Sequence, residues 1–200
     1  IYVDQRLRSS RNLVRHQKLM VRQIAALALW DLDLADHLVD QPEGDIFDAE
    51  AVLRTCRVAL RRDGEPMQAN WEAGGVDSID GVELSHPFVL LDQGDPGGEL
   101  RRRLWAAQAA ELLPLIEMRR RDLVQGLARH VPCPFWIDGG KRQVRSLHEL
   151  EIGSLAYVTQ THGVRGELRE RAEWLARCRN TLAHLGLLGG ADALDARLHG

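Results

Sequence analysis

What most narrows the folds open to this chain is the spacing of its apolar residues. Over residues 10–39, Leu13, Leu19, Met20, Ile24, Leu27, Leu34 and Leu38 recur at three- and four-residue steps. The same rhythm returns over 99–130 (Trp105, Ala109, Leu112, Ile116, Leu123, Leu127) and over 167–188 (Leu168, Ala172, Leu175, Cys178, Leu182, Leu185). Steps of three and four place one apolar stripe along an α-helix, so each stretch is expected to be helical and to bury that stripe. With 44% hydrophobic residues in 200, there is material for one large core or two small ones. The expected fold class is therefore mainly α.

Local signals subdivide the pattern. Asp31 to Asp33 can break the first helix in two. A helix over 48–60 has Asp45 or Asp48 to cap its first turn, and Arg61 to Gly64 end it. Residues 65–98 hold three prolines and six glycines, which reads as a connector and not a core element. Within it, Asp80-Gly81 between alternating residues makes either a small hairpin or part of a long packed loop. Pro114 inside the 99–130 helix predicts a kink near 110–113. Residues 131–144 read as a β-hairpin turning at Asp138-Gly139-Gly140, and Ser146 with Glu149 forms a capping box opening a helix through Tyr157. The final long helix spans about 167–188, stopped by Gly189 and Gly190, with a short helix over 191–198. The organisation expected is an N-terminal helical region (1–64), a connector (65–98) and a C-terminal helical bundle with a small β-hairpin (99–200).

Composition excludes several classes of function. Lysine and arginine number 26 against 29 acidic residues, too even a balance for coating a polyanion by charge, so any RNA contact must be local. Arg101 to Arg103 and Arg119 to Arg121 read first as solvated helix faces. Cys56, Cys133 and Cys178 are odd in number and widely spaced, which reads as reduced thiols in the cytoplasm. Neither the cysteines nor the histidines have metal-ligand spacing, so no metal and no cofactor is expected. No apolar run reaches membrane-spanning length. Phosphate-binding loop and nucleophile-elbow motifs are missing. The chain opens at Ile1 in mid-pattern, which suggests a piece of a longer protein.

The informative segment lies in the last long helix: Arg177-Cys178-Arg179-Asn180-Thr181-Leu182-Ala183-His184-Leu185. Arginine, a polar residue directly after it and histidine five positions from the arginine resemble the RNxxxH motif of HEPN domains. These are helical bundles that include many metal-independent endoribonucleases. The likeness covers about 99–200; stretches 104–117 and 147–157 also resemble, less specifically, the helices preceding the motif in bacterial HEPN-like modules attached to larger conflict or NTPase proteins. It implies Arg179, Asn180 and His184 as catalytic residues, with Arg177 and Thr181 contacting RNA. Cleavage without metal needs a base titrating near neutrality, which histidine supplies, and a permanent planar cation for the phosphate, which arginine supplies. His184 would take the 2′-hydroxyl proton, Arg179 would stabilise the phosphate, and Asn180 would orient Arg179 or bind phosphate oxygen. The product would be a 2′,3′-cyclic phosphate.

Helix geometry complicates the assignment. At 3.6 residues per turn, positions 179 and 184 lie roughly 140° apart, whereas 180 and 184 lie roughly 40° apart and 177 and 184 roughly 20° apart. In the HEPN family two copies of the motif helix meet across a shared cleft, which implies a homodimer. Arg177 stays open as a supporting or alternative cation. The expected function is thus an RNA-cleaving toxin or effector of a bacterial defence system, held in check by an antitoxin or a regulatory NTPase partner. The alternative is a catalytically silent HEPN-like module used for dimerisation or as an adaptor.

Overall fold

The computed structural model describes residues 1–10 and 16–199; Leu13 of the first apolar stripe lies outside them. The chain is mainly helical with two small antiparallel hairpins. Its residues group into two compact units. One is Ile1–Glu111 with Leu187–Asp195, the other Leu112–Gly186 with Ala196–Gly200.

The first unit opens with α1 (Tyr2–Ser10), a helix beyond the expected stripe, which buries Leu7 completely. Helices α2 (Gln17–Ala28) and α3 (Leu32–Val39) follow, separated where Asp31 caps α3 by accepting the Leu34 amide at 2.9 Å. A 3-10 turn (Glu43–Phe47) leads to α4 (Ala49–Ala59), capped by Asp48 through the Ala51 amide at 3.1 Å. Ile24, Leu27, Leu34, Leu38 and Leu53 are fully buried, as their spacing requires, and Ile46 of the 3-10 turn is buried with them.

The segment 65–98 is more than a connector. It forms the hairpin β1 (Val76–Ile79) and β2 (Val82–Ser85), turning at Asp80-Gly81, and then α5 (Pro87–Gln93). Phe88 and Leu90 of α5 belong to the same apolar core as Ile24 and Leu53. The glycine and proline content concealed a helix because Pro87 stands at its first position, where a missing amide hydrogen costs nothing, and Gly94 closes it in the left-handed region. Gly75 meets a different need: a Cβ there would lie 1.9 Å from the Gln68 carbonyl oxygen.

Helix α6 (Glu99–Leu127) runs unbroken through Pro114. Its first half belongs to the first unit, where Gln108, 1% exposed, pairs with the backbone of Leu188 in both directions. Its Nε2 donates to the Leu188 carbonyl at 3.0 Å, and its Oε1 accepts the Leu188 amide at 2.8 Å. The short helix α9 (Gly190–Ala193) follows Leu188 in this unit.

In the second unit, the rest of α6 is followed by the hairpin β3 (Phe135–Ile137) and β4 (Arg142–Val144), as expected for 131–144. Ser146 caps only a 3-10 turn, Leu147–Glu149; Leu150 is extended, and α7 (Ile152–Thr161) begins later than the capping box suggested. Carbonyls that a continuous helix would have used are taken by guanidinium groups, with Arg120 on Leu150 at 3.0 Å and Arg142 on Glu149 at 3.3 Å. Helix α8 (Glu167–Ala183) packs on α7, burying Ala172, Leu175, Cys178 and Leu182. A last turn, α10 (Ala196–His199), ends the chain, with Arg197 4.1 Å from the Trp174 ring. No helix among the described residues is long and apolar enough to cross a membrane.

Candidate functional site

The motif helix ends sooner than its glycines suggested. Helix α8 stops at Ala183, and His184 is its C-cap. Leu185 takes φ +59; its amide bonds to the Leu182 carbonyl at 3.2 Å, and the Gly186 amide reaches back to Thr181 at 2.8 Å. These two bonds are a Schellman closure with leucine where glycine is the usual occupant. Gly186 cannot be replaced freely, because a Cβ would stand 2.8 Å from both the Thr181 methyl and its carbonyl oxygen. Gly189 and Gly190, expected to stop the helix, instead begin α9. The early stop is made locally, by Leu185 in the left-handed region and the two amides that turn back onto Leu182 and Thr181.

The five sequence-selected residues divide between two directions. Arg177, Asn180 and His184 are all exposed and follow one another at three- and four-residue steps, which puts them on one side of the helix end. Arg179 faces elsewhere. Its guanidinium lies 3.3 Å from the Glu151 carboxylate, with a long 3.4 Å contact to Asn180 Oδ1. Thr181 is half-buried, under the Gly186 turn. The imidazole of His184 has no hydrogen-bond partner among the described residues, and Arg179 is not on its side.

Arg179 lines a groove of about 400 Å³ with Arg120, His148, Glu117, Glu149 and Glu151. Arg120 is committed to Glu117 at 2.6 Å and to the Leu150 carbonyl, and Glu117 is held below the usual carboxylate range by its hydrogen bond from Arg120. Two guanidinium groups face three carboxylates in the groove. That balance disfavours a phosphate seat within one chain. Nothing in the spacing pointed to this groove, since its residues come from three separate elements.

A second constellation, absent from the sequence reading, lies in the first unit. His86, 1% exposed, lies 3.1 Å from Asp31 through Nε2 and accepts the Phe88 amide at Nδ1, also at 3.1 Å. Because Nδ1 accepts, Nε2 carries the hydrogen and donates to Asp31. Arg62 also bonds Asp31. Burial by itself would raise the Asp31 carboxyl, but the hydrogen bonds from His86, the Leu34 amide and Arg62 outweigh it and hold the group well below the usual carboxylate range. The cue available in the sequence was His86-Pro87, a cap followed by proline, which belongs at a helix start.

Among the described residues no cluster of three or more His, Cys, Asp or Glu could hold a metal ion. Compared with protein-family models, curated proteins and solved structures, the chain finds no match in any of the three.

Proposed function

We propose that the chain is a HEPN-like, metal-independent endoribonuclease that works as a homodimer, with α8 as its motif helix. The observation that supports this reading is the exposed row of Arg177, Asn180 and His184 at the end of α8. An imidazole with no internal partner can act as a base on a 2′-hydroxyl, and a guanidinium on the same side can meet the phosphate. One helix end carries one such set; two copies facing each other would supply the pair of cations and bases that RNA cleavage to a 2′,3′-cyclic phosphate uses. Arg177 stands beside Arg179 as a candidate phosphate cation because its helix position puts it on the side of His184, whereas Arg179 lies 3.3 Å from Glu151. In this reading the protein acts in the cytoplasm as the toxin or effector of a bacterial defence system, restrained by an antitoxin or a regulatory NTPase.

The test is incubation of the purified chain with end-labelled RNA in the presence of a chelator, with and without co-expressed neighbours. Products are analysed for cyclic phosphate ends, and the oligomeric state is measured by sedimentation. Cleavage abolished by His184→Ala, with sedimentation unchanged, is the expected result.

A second reading is favoured by one observation, the separation of Arg179 from His184. If both motif residues must act from one chain, the bundle is catalytically silent and serves as a dimerisation or adaptor module. Absence of cleavage by the unsubstituted protein under every condition would select it.

A further inference from the structure

We infer that the cleft beside His86 in the first unit binds a nucleoside monophosphate, a flat ring carrying one anionic group. The cleft has a volume of about 570 Å³ and is lined by Trp30, Arg57, Arg61, Arg62, His86 and Phe88. That volume falls within the range of small-molecule sites, roughly 300–1,000 Å³.

Its inner wall is rigid and aromatic. The His86 imidazole is pinned at both nitrogens, with the Trp30 ring 5.9 Å away edge-on and the Phe88 ring 5.1 Å away. Trp30 is only half-buried, so part of its indole is open to a flat ligand, the kind of surface on which nucleobases stack.

Of the three arginines, two are structural. Arg57 is spent on Asp92, on the carbonyls of Arg62 and Glu65 at 2.8 and 3.0 Å, and on the Phe88 ring at 5.6 Å. Arg62 is spent on Asp31 and Asp33. The Arg61 guanidinium has no hydrogen-bond or ion-pair partner among the described residues, although Arg61 lines the same cleft.

The backbone at Arg61 fixes where its side chain leaves the end of α4. Helix α4 closes with the Arg61 amide on Val58 at 2.9 Å and the Arg62 amide on Arg57 at 3.0 Å, with Arg61 at φ +56. This is the Schellman geometry in which glycine is the easy residue. At the end of α7 the equivalent place is held by Gly163, with its amide on Gln160 and that of Val164 on Thr159. An L residue in the left-handed region carries steric cost, as Leu185 does at the end of α8. Here it places an unengaged guanidinium on a cleft with an aromatic wall. Asp31 and Glu65 are the carboxylates lining the cleft; Asp31 is consumed by His86 and Arg62, so Arg61 opposes Glu65 alone. A guanidinium fork matches a phosphate through two parallel hydrogen bonds.

The experiment is calorimetric titration of the full chain with AMP and UMP, beside adenosine and inorganic phosphate, repeated on Arg61→Gly and Trp30→Ala. Arg61→Gly relieves the turn while deleting the cation, so folding and binding are separated: its melting temperature should match or exceed that of the parent. The expected result is one saturable site for AMP with Kd below about 1 mM. Binding should weaken at least tenfold in Arg61→Gly and in Trp30→Ala, with adenosine and phosphate each weaker than AMP. No saturation by either nucleotide overturns the inference, as does unchanged AMP affinity in Arg61→Gly. Phosphate binding as tight as AMP overturns the assignment to a nucleotide. RNA cleavage does not enter the measurement, so its outcome is separate from that of the ribonuclease reading.

Discussion

Asp31 and His86, 55 residues apart in the chain, meet at 3.1 Å, with Nε2 of the imidazole donating to the carboxylate that also caps α3. The contact ties the start of α5 to the start of α3, and it leaves a carboxylate deep in a place where only its partners make the charge tolerable.

Replacing this carboxylate with an amide isolates the charge, because asparagine caps a helix as well as aspartate does. Asp31→Asn is expected to cost about 2–3 kcal/mol at neutral pH. The sign of the pH dependence follows from the depressed folded-state pKa of Asp31. The stabilisation is fully present above the unfolded value near pH 4 and is lost as pH falls through the folded value. Urea unfolding from pH 7 to pH 2 should show the difference between parent and variant constant above about pH 5 and shrinking in acid. A gap that stays undiminished at pH 2 would point to packing and not to charge.

Gln108→Leu removes both partners of the buried Leu188 peptide at once while keeping side-chain volume and helix propensity close to those of glutamine. Leaving a buried N–H and a buried C=O unmet should cost about 2–4 kcal/mol in denaturant unfolding. A loss under about 0.5 kcal/mol would show that the two groups find other partners.

The left-handed Leu185 makes the opposite prediction. It is 54% exposed, so little burial is forfeited by removing its side chain. Leu185→Gly should raise stability by about 1 kcal/mol through relief of steric strain. Gly186→Ala, by contrast, should destabilise, since its Cβ meets backbone oxygen at 2.8 Å.

For the proposed cleavage, the arginines can be ranked. Arg177→Ala should reduce the rate by a hundredfold or more, in line with loss of a cation aimed at developing phosphate charge. Arg179→Ala should cost far less. The reverse order in a single-turnover assay would return Arg179 to the role that the RNxxxH resemblance gave it.

Thiol chemistry tests the packing independently. Cys133 is exposed, whereas Cys56 and Cys178 are fully buried, and burial pushes the Cys56 thiol up to about 11. Ellman's reagent at pH 8 should titrate one thiol rapidly in the native protein and the other two only on unfolding. Rapid reaction of all three would mean that the cores around α4 and α8 open readily.

The sequence by itself determined the helices α2, α3, α4, α6 and α8 and most of the face that each buries, with Leu185 at the end of the last stripe exposed. Periodicity is a local property, and Leu112, Ile116, Leu123, Leu175 and Leu182 are buried where their three- and four-residue steps demanded. It also determined the hairpin at 135–144, a break at Asp31 to Asp33, and a cap at Asp45 or Asp48, of which the structure uses Asp48, because a cap is satisfied by an amide three residues away. It did not determine where α8 ends, that α5 enters a core, or that Arg179 turns to Glu151 while Arg177 shares a side with His184. The last two depend on partners distant in the chain, Phe88 on the helices of the first unit and Arg179 on a glutamate 28 residues earlier, and the first on a leucine adopting a left-handed conformation that its residue type does not announce. Local spacing carries no information about which far group claims a backbone amide or a guanidinium, and only the packed tertiary structure decides that competition.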